Sequence, residues 1–246
     1  MNNKKRVYLL DEIRGIAIIL VVAYHFFYSA AMVFHFGWAT DIFSALGKWQ
    51  PILPITFVLL SGISFNLSKS NTKRGLKLFL IGIAITIVTV TLLPDESIWF
   101  GIIHFLGIAN IICGLLENSL KKISAFMGTL IFAFLFIFTY YVPNHYLGLL
   151  PDFAVRLPSF LYTTDLTMML GFHTNAFMSA DYNPIIPWIF LFIAGICLGK
   201  HIRELPESLC KQHIKPLAFL GKHTLIIYIA HQPIIIGSLY LINLIH

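Results

Sequence analysis

Charge is scarce in this chain. Asp, Glu, Lys and Arg make up 11% of its 246 residues, against about 25% in an ordinary soluble domain. With 58% of residues hydrophobic, there is too little polar surface to cover a water-facing globule. Cysteine is sparse as well. Cys113, Cys197 and Cys210 stand far apart and form no CxxC or Cys/His pattern, so no metal site is expected from them. No GxSxG, HExxH or Walker-type phosphate loop occurs, which leaves the chemistries those motifs serve without support. A cleavable leader is not expected either. The basic N-terminus runs into an apolar stretch, but Asp11, Glu12 and Arg14 interrupt it, and it continues past Phe26 without a small-residue cleavage site. What remains is a chain with a mean hydropathy of +0.82, expected to be an integral membrane protein whose first span is retained.

An apolar stretch of about 20 residues crosses the hydrocarbon as a helix. Helical spans are expected near 13–37, 50–67, 76–93, 98–116, 123–142, 184–200 and 217–244, the last bent or broken at Pro233. The expected fold is therefore all-α, a polytopic membrane helical bundle of about seven spans, with six or eight as neighbouring counts. The apolar runs are continuous rather than alternating, which excludes a β-barrel. No internal repeat is visible, and residues 1–246 read as a single domain. The 143–183 connection, rich in Pro, aromatics and hydroxyls, is long for a link without function or structure of its own. Its stretch from Phe153 to Met178 is apolar enough to lie on the outer half of the protein.

The net charge is +6, but its distribution speaks for topology and not for nucleic acid. Lys4, Lys5 and Arg6 precede the first span. Lys69, Lys73, Arg74 and Lys77 follow the second, Lys121 and Lys122 the fourth, and Lys200, Arg203, Lys211 and Lys215 the sixth. The alternate links carry only Lys48 and Arg156, together with Asp41, Asp95, Glu96, Asp152, Asp165 and Asp181. By the excess of basic residues in cytoplasmic loops, the N-terminus is expected to be cytoplasmic and the protein a multi-pass component of the plasma membrane.

Ionisable residues at membrane depth are expensive and face a bundle interior or a wet cavity. Arg14 and His25 lie eleven residues apart on the first span. That spacing returns to within about 20° of the same face and separates them by roughly 16 Å along the axis. Arg14 would then sit near the cytoplasmic headgroups, either snorkelling or paired with Asp11, and His25 near the midplane. His104, His231 and Gln232 also fall inside apolar runs, with His35 beside Trp38 at the outer end of the first span. Each histidine has two readings: a neutral imidazole hydrogen-bonded across helices, or a base. No HxxxH or carboxylate pair accompanies them, so a metal is not expected. Asp181 and Asn183, ahead of Pro184 and Trp188, read as a helix start, with Asp181 able to meet a hydroxyl or amine. The Lys69–Lys77 cluster, Lys73 and Arg74 included, could also engage a polyphosphate.

Five stretches together resemble one family. They are Asp11-x-x-Arg14-Gly15-Ile16-Ala17, Phe57-x4-Gly62-Ile63-Ser64, Phe100-Gly101-Ile102-Ile103-His104, Asp181-Tyr182-x-Pro184-x-x-Pro187-Trp188, and the run from Leu220-Gly221-Lys222-His223-Thr224-Leu225 to Pro233. Their order and spacing are similar to the bacterial branch of the heparan-alpha-glucosaminide N-acetyltransferase catalytic-domain family. That family sits among the transmembrane acyltransferases, whose acyltransferase-3 members carry a basic residue, ten residues and then a histidine, as Arg14 and His25 do.

The resemblance implies transfer of an acetyl group from cytoplasmic acetyl-CoA to a sugar or glycan acceptor on the far side. Under it, Arg14 would hold the CoA end of the donor, with Lys73, Arg74 and Lys222 as further donor-side candidates. His25 would be the catalytic histidine, as a base or a transient acyl carrier. Lysosomal members place a histidine just after the first span, for which His35 is the nearest match, one residue out of register. Asp11, His104, Asp181, Trp188, His231 and Gln232 are then the acceptor-side candidates. The implied partners are acetyl-CoA and the acceptor, with membrane lipids around the spans, no nucleic acid, and a homo-oligomer left open. A transporter or flippase for a polar or lipid-linked substrate, which would also set polar groups at the midplane, is the competing reading.

Overall fold

A computed structural model describes residues 6–149 and 153–245, so Lys4, Lys5 and Asp152 lie outside the described residues. In chain order the helices are α1 (Tyr8–Tyr28), α2 (Gly37–Gly47), α3 (Ile52–Phe65), α4 (Asn71–Leu92), α5 (Ile102–Leu115), α6 (Glu117–Lys122), α7 (Ala125–Thr139), α8 (Ile185–Leu198), α9 (Glu207–Cys210), α10 (Lys215–Lys222) and α11 (Thr224–Ile245). Strands β1 (Tyr146–Leu149) and β2 (Phe153–Arg156) form a short antiparallel pair between α7 and α8. The protein is a helical membrane protein.

Among the described residues, five helices are long and apolar enough to cross a bilayer, at Tyr8–Val33, Asn71–Leu92, Ala125–Asn144, Ile185–Ile202 and Thr224–Leu244. A sixth span arises if α2 and α3, bent by 51° at the break between them, act as one. Two of the expected spans are thus shorter than the sequence reading drew them. The stretch near 50–67 is α3, with 14 residues, and that near 98–116 is α5, also with 14. At 1.5 Å per residue each covers about 21 Å, short of a hydrocarbon core of about 30 Å. The expected break at Pro233 is not where the last segment divides. α11 runs through Pro233, and the interruption is at His223, where α10 ends.

By its contacts the chain falls into two compact units, residues 1–60 with 203–246, and residues 61–202. In the first, α1 is the central element, packed on α2, α9, α10 and α11. Beyond Tyr28, α1 widens into a π-helical turn, Ser29–Val33, a departure from regular geometry that is frequent at functional sites. Ala30 and Ala31 of that turn, Ala39 of α2, and Ile235 and Leu239 of α11 form one buried cluster. The small alanines let the elements approach, and Phe26, Phe27, Phe36 and Phe43 fill around them. Gly15 and Gly221 do the same at the other end. A Cβ on Gly15 would overlap the Leu217 carbonyl, and one on Gly221 the Asp11 carbonyl.

In the second unit α4 packs on α5 and α7 on α8. Gly75 and Gly107 bring α4 and α5 together, since a Cβ at Gly75 would stand 2.6 Å from the Gly107 carbonyl oxygen and one at Gly107 2.6 Å from the Phe79 nitrogen. The 143–183 link has structure of its own: the β pair and two 3-10 turns, Ser159–Tyr162 and Asp165–Leu170. Tyr162 is buried and donates its hydroxyl to the Val142 carbonyl, and Tyr182 donates to that of Met168 at 2.6 Å. Burial, with the nearby Asp165 carboxylate and Tyr162 adding to it, raises the Tyr182 phenol above its ordinary range.

Candidate functional site

The polar residues at membrane depth in the first unit converge on one place. His25, in the last turn of α1, and His231, two turns into α11, have ring centroids 4.9 Å apart, edge to face. Tyr24 meets His25 edge-on at 5.5 Å, and Tyr228 packs on His231 at 5.4 Å. The helical period explains the convergence. Ser29 is one turn beyond His25, and its hydroxyl reaches toward Gln232 Oε1 at 3.5 Å. Tyr228 is one turn before His231, and its backbone carbonyl lies 2.5 Å from His231 Nδ1.

That last contact settles the tautomer. A carbonyl only accepts, so Nδ1 carries the proton and Nε2 keeps its lone pair. His231 Nε2 and His25 Nδ1 are both buried and without a hydrogen-bond partner. Leaving such atoms unpaired costs about 1–3 kcal/mol each. Two such nitrogens on neighbouring rings, among the described residues, mark this place as one where a polar group can be met. Chemically the pair offers a lone-pair base held in orientation by a backbone carbonyl, beside a second imidazole.

Arg14 lies on the same helix as His25, nearer its start. Its Nη1 donates to Asp11 Oδ1 at 3.0 Å, and Asp11 Oδ2 takes the Arg6 Nε–H at 2.7 Å. The Asp11 side chain is only 8% exposed, that of Arg14 21%. Asp11 is thus an orienting carboxylate between two guanidiniums. His35 is exposed, in the left-handed conformation (φ 55°), where the π turn gives way to α2. Lys222 is exposed in the last turn of α10, where a cation complements the helix dipole.

The remaining candidates belong to the second unit and do not gather. His104 is buried between α4 and α5, stacked on Phe100 at 5.9 Å and lying over Gly82. The Thr86 hydroxyl gives its proton to the Ile98 carbonyl at 2.7 Å, so its 3.3 Å contact with His104 Nε2 is donated by the ring. Asp181 stands ahead of α8 yet caps α5: its Oδ2 accepts the Ile102 N–H at 2.8 Å, and its Oδ1 the Asn183 amide at 2.6 Å. The helix start expected of Asp181 and Asn183 is thus made on a neighbouring helix, while α8 begins after Pro184 with no side-chain cap. Trp188 is buried against Phe136 and Tyr140 between α7 and α8. Lys73 is exposed on α4, and Arg74 donates to Ser61 at 3.3 Å.

Tyr24, Tyr228, Ser29 and Glu12 are parts of this arrangement that the sequence does not single out. Ser29 was legible in principle, being four residues after His25 and hence on its face. Glu12 was not: its buried carboxylate accepts the backbone N–H groups of His213 and Ile214, at 2.6 and 2.8 Å, and so caps α10 from α1.

The family model described as heparan-alpha-glucosaminide N-acetyltransferase, catalytic, matches residues 6–233. The chain belongs to this family. No curated protein and no solved structure matches it significantly. Membership in the heparan-alpha-glucosaminide N-acetyltransferase catalytic family makes the protein a membrane transferase of acetyltransferase type. The matched stretch begins at Arg6 and ends at Pro233, and so takes in Asp11, Arg14, His25, Ser29, His231 and Gln232.

Proposed function

We propose that the protein moves an acetyl group from cytoplasmic acetyl-CoA to a hydroxyl or amine of an extracytoplasmic sugar-type acceptor, with the His25–His231 pair as the reacting centre. The observation that carries this reading is the pair of buried, unpartnered imidazole nitrogens on α1 and α11, within a chain of an acetyltransferase family. In the step proposed, an imidazole lone pair takes the acceptor proton as the acceptor oxygen or nitrogen attacks the thioester carbonyl. The carbon–sulfur bond then breaks, and the imidazolium returns the proton to the departing thiolate. Arg14, oriented by Asp11, serves the donor's phosphates from the same face of α1, about 16 Å away. This places the N-terminus on the cytoplasmic side of the plasma membrane, as the basic links favour.

The test is transfer of labelled acetyl from acetyl-CoA to a cell-envelope glycan extract by the protein in proteoliposomes. His25→Ala and His231→Ala should each lose about 100-fold or more of the rate, while acetyl-CoA still binds by calorimetry. Arg14→Ala should instead weaken that binding by about tenfold, the scale of one charge-assisted contact. Full transfer by both histidine variants, with loss in His35→Ala, would move the reacting centre to His35. Absence of acetyl-CoA binding to folded wild type would sink the donor assignment.

A further inference from the structure

In the second unit, one face of α4 carries a shallow, largely open groove of about 450 Å³ lined by Lys73, Leu76, Lys77, Leu80, Ile81 and Ala84. These positions run i, i+3, i+4, i+7, i+8, i+11, so they form one stripe along one face of the helix. The stripe is ordered by chemistry. Both lysines stand in its first half, and the lining residues beyond Lys77 are aliphatic. Leu76 and Leu80 are more than half exposed, on a helix long enough to span the bilayer.

We infer that this groove is a binding site for one anionic phospholipid, its phosphate between Lys73 and Lys77 and an acyl chain along Leu76, Leu80, Ile81 and Ala84. Length and charge both select that occupant. From Lys73 to Ala84 the stripe rises eleven steps, about 16 Å, half of a hydrocarbon core of about 30 Å. That is one leaflet, whereas a partner helix would need the whole of α4. The charges are not there for the helix. Cations in the first turns oppose the helix dipole, and α4 has neither an acidic residue in its first turn nor a side-chain cap from Ser70. Among the described residues no acidic side chain pairs with Lys73 or Lys77. No residue of α4 or of the groove lining is acidic. The acidic Asp95 and Glu96 lie past the far end of the helix, and Glu117 is held by Lys121 at 2.7 Å. A lipid phosphate supplies the missing anion and its chain covers the exposed aliphatic stripe. A basic site at the membrane surface recognises anionic headgroups by this combination.

The experiment titrates the detergent-solubilised full chain with phosphatidylglycerol or phosphatidylcholine of the same chain length and counts bound lipid by native mass spectrometry. Wild type should bind phosphatidylglycerol about tenfold more tightly, on a scale of about 1 kcal/mol per lysine near a lipid surface. Lys73→Gln/Lys77→Gln should lose that preference. Lys121→Gln/Lys122→Gln, equally basic and on α6, should keep it, and Ala84→Trp, which fills the groove without touching charge, should weaken phosphatidylglycerol binding. Equal binding of the two lipids by wild type overturns the proposal. So does an equal loss in the Lys121/Lys122 variant, which would mean a general surface attraction. Displacement of phosphatidylglycerol by millimolar acetyl-CoA, with Ala84→Trp silent, would assign the lysines to the donor's phosphates instead.

Discussion

At the scale of single residues, the cost of burying polar atoms orders the site. Asp11 is nearly enclosed, and two guanidiniums satisfy it. Asp11→Asn leaves Arg14 and the half-exposed Arg6 with a neutral partner, a loss of about 1–2 kcal/mol, between the scales of exposed and buried pairs. A fall in the thermal midpoint of the purified protein, together with weaker acetyl-CoA binding, is the expected outcome. An unchanged midpoint would mean that Arg6 and Arg14 find other acceptors. His104 shows the opposite case. Its ring donates to Thr86 and is sandwiched by Phe100 and Gly82, so His104→Ala should lower stability before it touches transfer by folded protein. Depth in the membrane, visible in the sequence, marked His25, His104 and His231 alike. Only their surroundings separate an imidazole partnered by Thr86 from two that each leave a buried ring nitrogen without a partner.

At the scale of elements, close helix approach and capping carry the argument. Replacing glycine by alanine inside a helix gains up to about 1 kcal/mol of propensity. Overlap with a neighbouring backbone costs about 1–3 kcal/mol because no rotamer relieves it. At Gly15 and Gly221 the overlap wins, so alanine at either should destabilise. At Gly237, where nothing lies within 4 Å of the added carbon, alanine should stabilise slightly. Thermal unfolding of the three variants checks the order. Glu12→Ala removes the acceptor of the His213 and Ile214 amides, and hydrogen exchange at those two positions should quicken by roughly tenfold, the scale of a lost helix cap. The helices themselves were largely legible, because each is a run of apolar residues. The division at His223 and the shortness of α3 and α5 were not. For α5 the apolar run already begins at Ile98, ahead of the helix, and at His223 the polar step Lys222-His223-Thr224 was too brief to read as a boundary.

At the scale of the whole molecule, the family and the apolar helices make this a membrane transferase, and the basic links make its orientation a testable proposal. Single cysteines introduced at Lys69 and at Arg156, in a background lacking Cys113, Cys197 and Cys210, should react with a membrane-impermeant maleimide from opposite sides of sealed vesicles. Labelling of both from one side would refute the alternation of links on which the cytoplasmic N-terminus rests.

Taken by itself, the sequence determined the solvent, the helical class, the family and the spacing of Arg14 and His25 along one helix. Each is a property of composition or of a stretch of about 20 residues, and lipid selects for such local sums. Only the tertiary structure decided which polar atoms meet. That His231 joins His25, that Glu12 caps α10, and that Asp181 caps α5 rather than its own helix depend on which helices lie side by side. A buried donor or acceptor must find its partner wherever packing brings one, and that partner stands at no fixed distance along the chain.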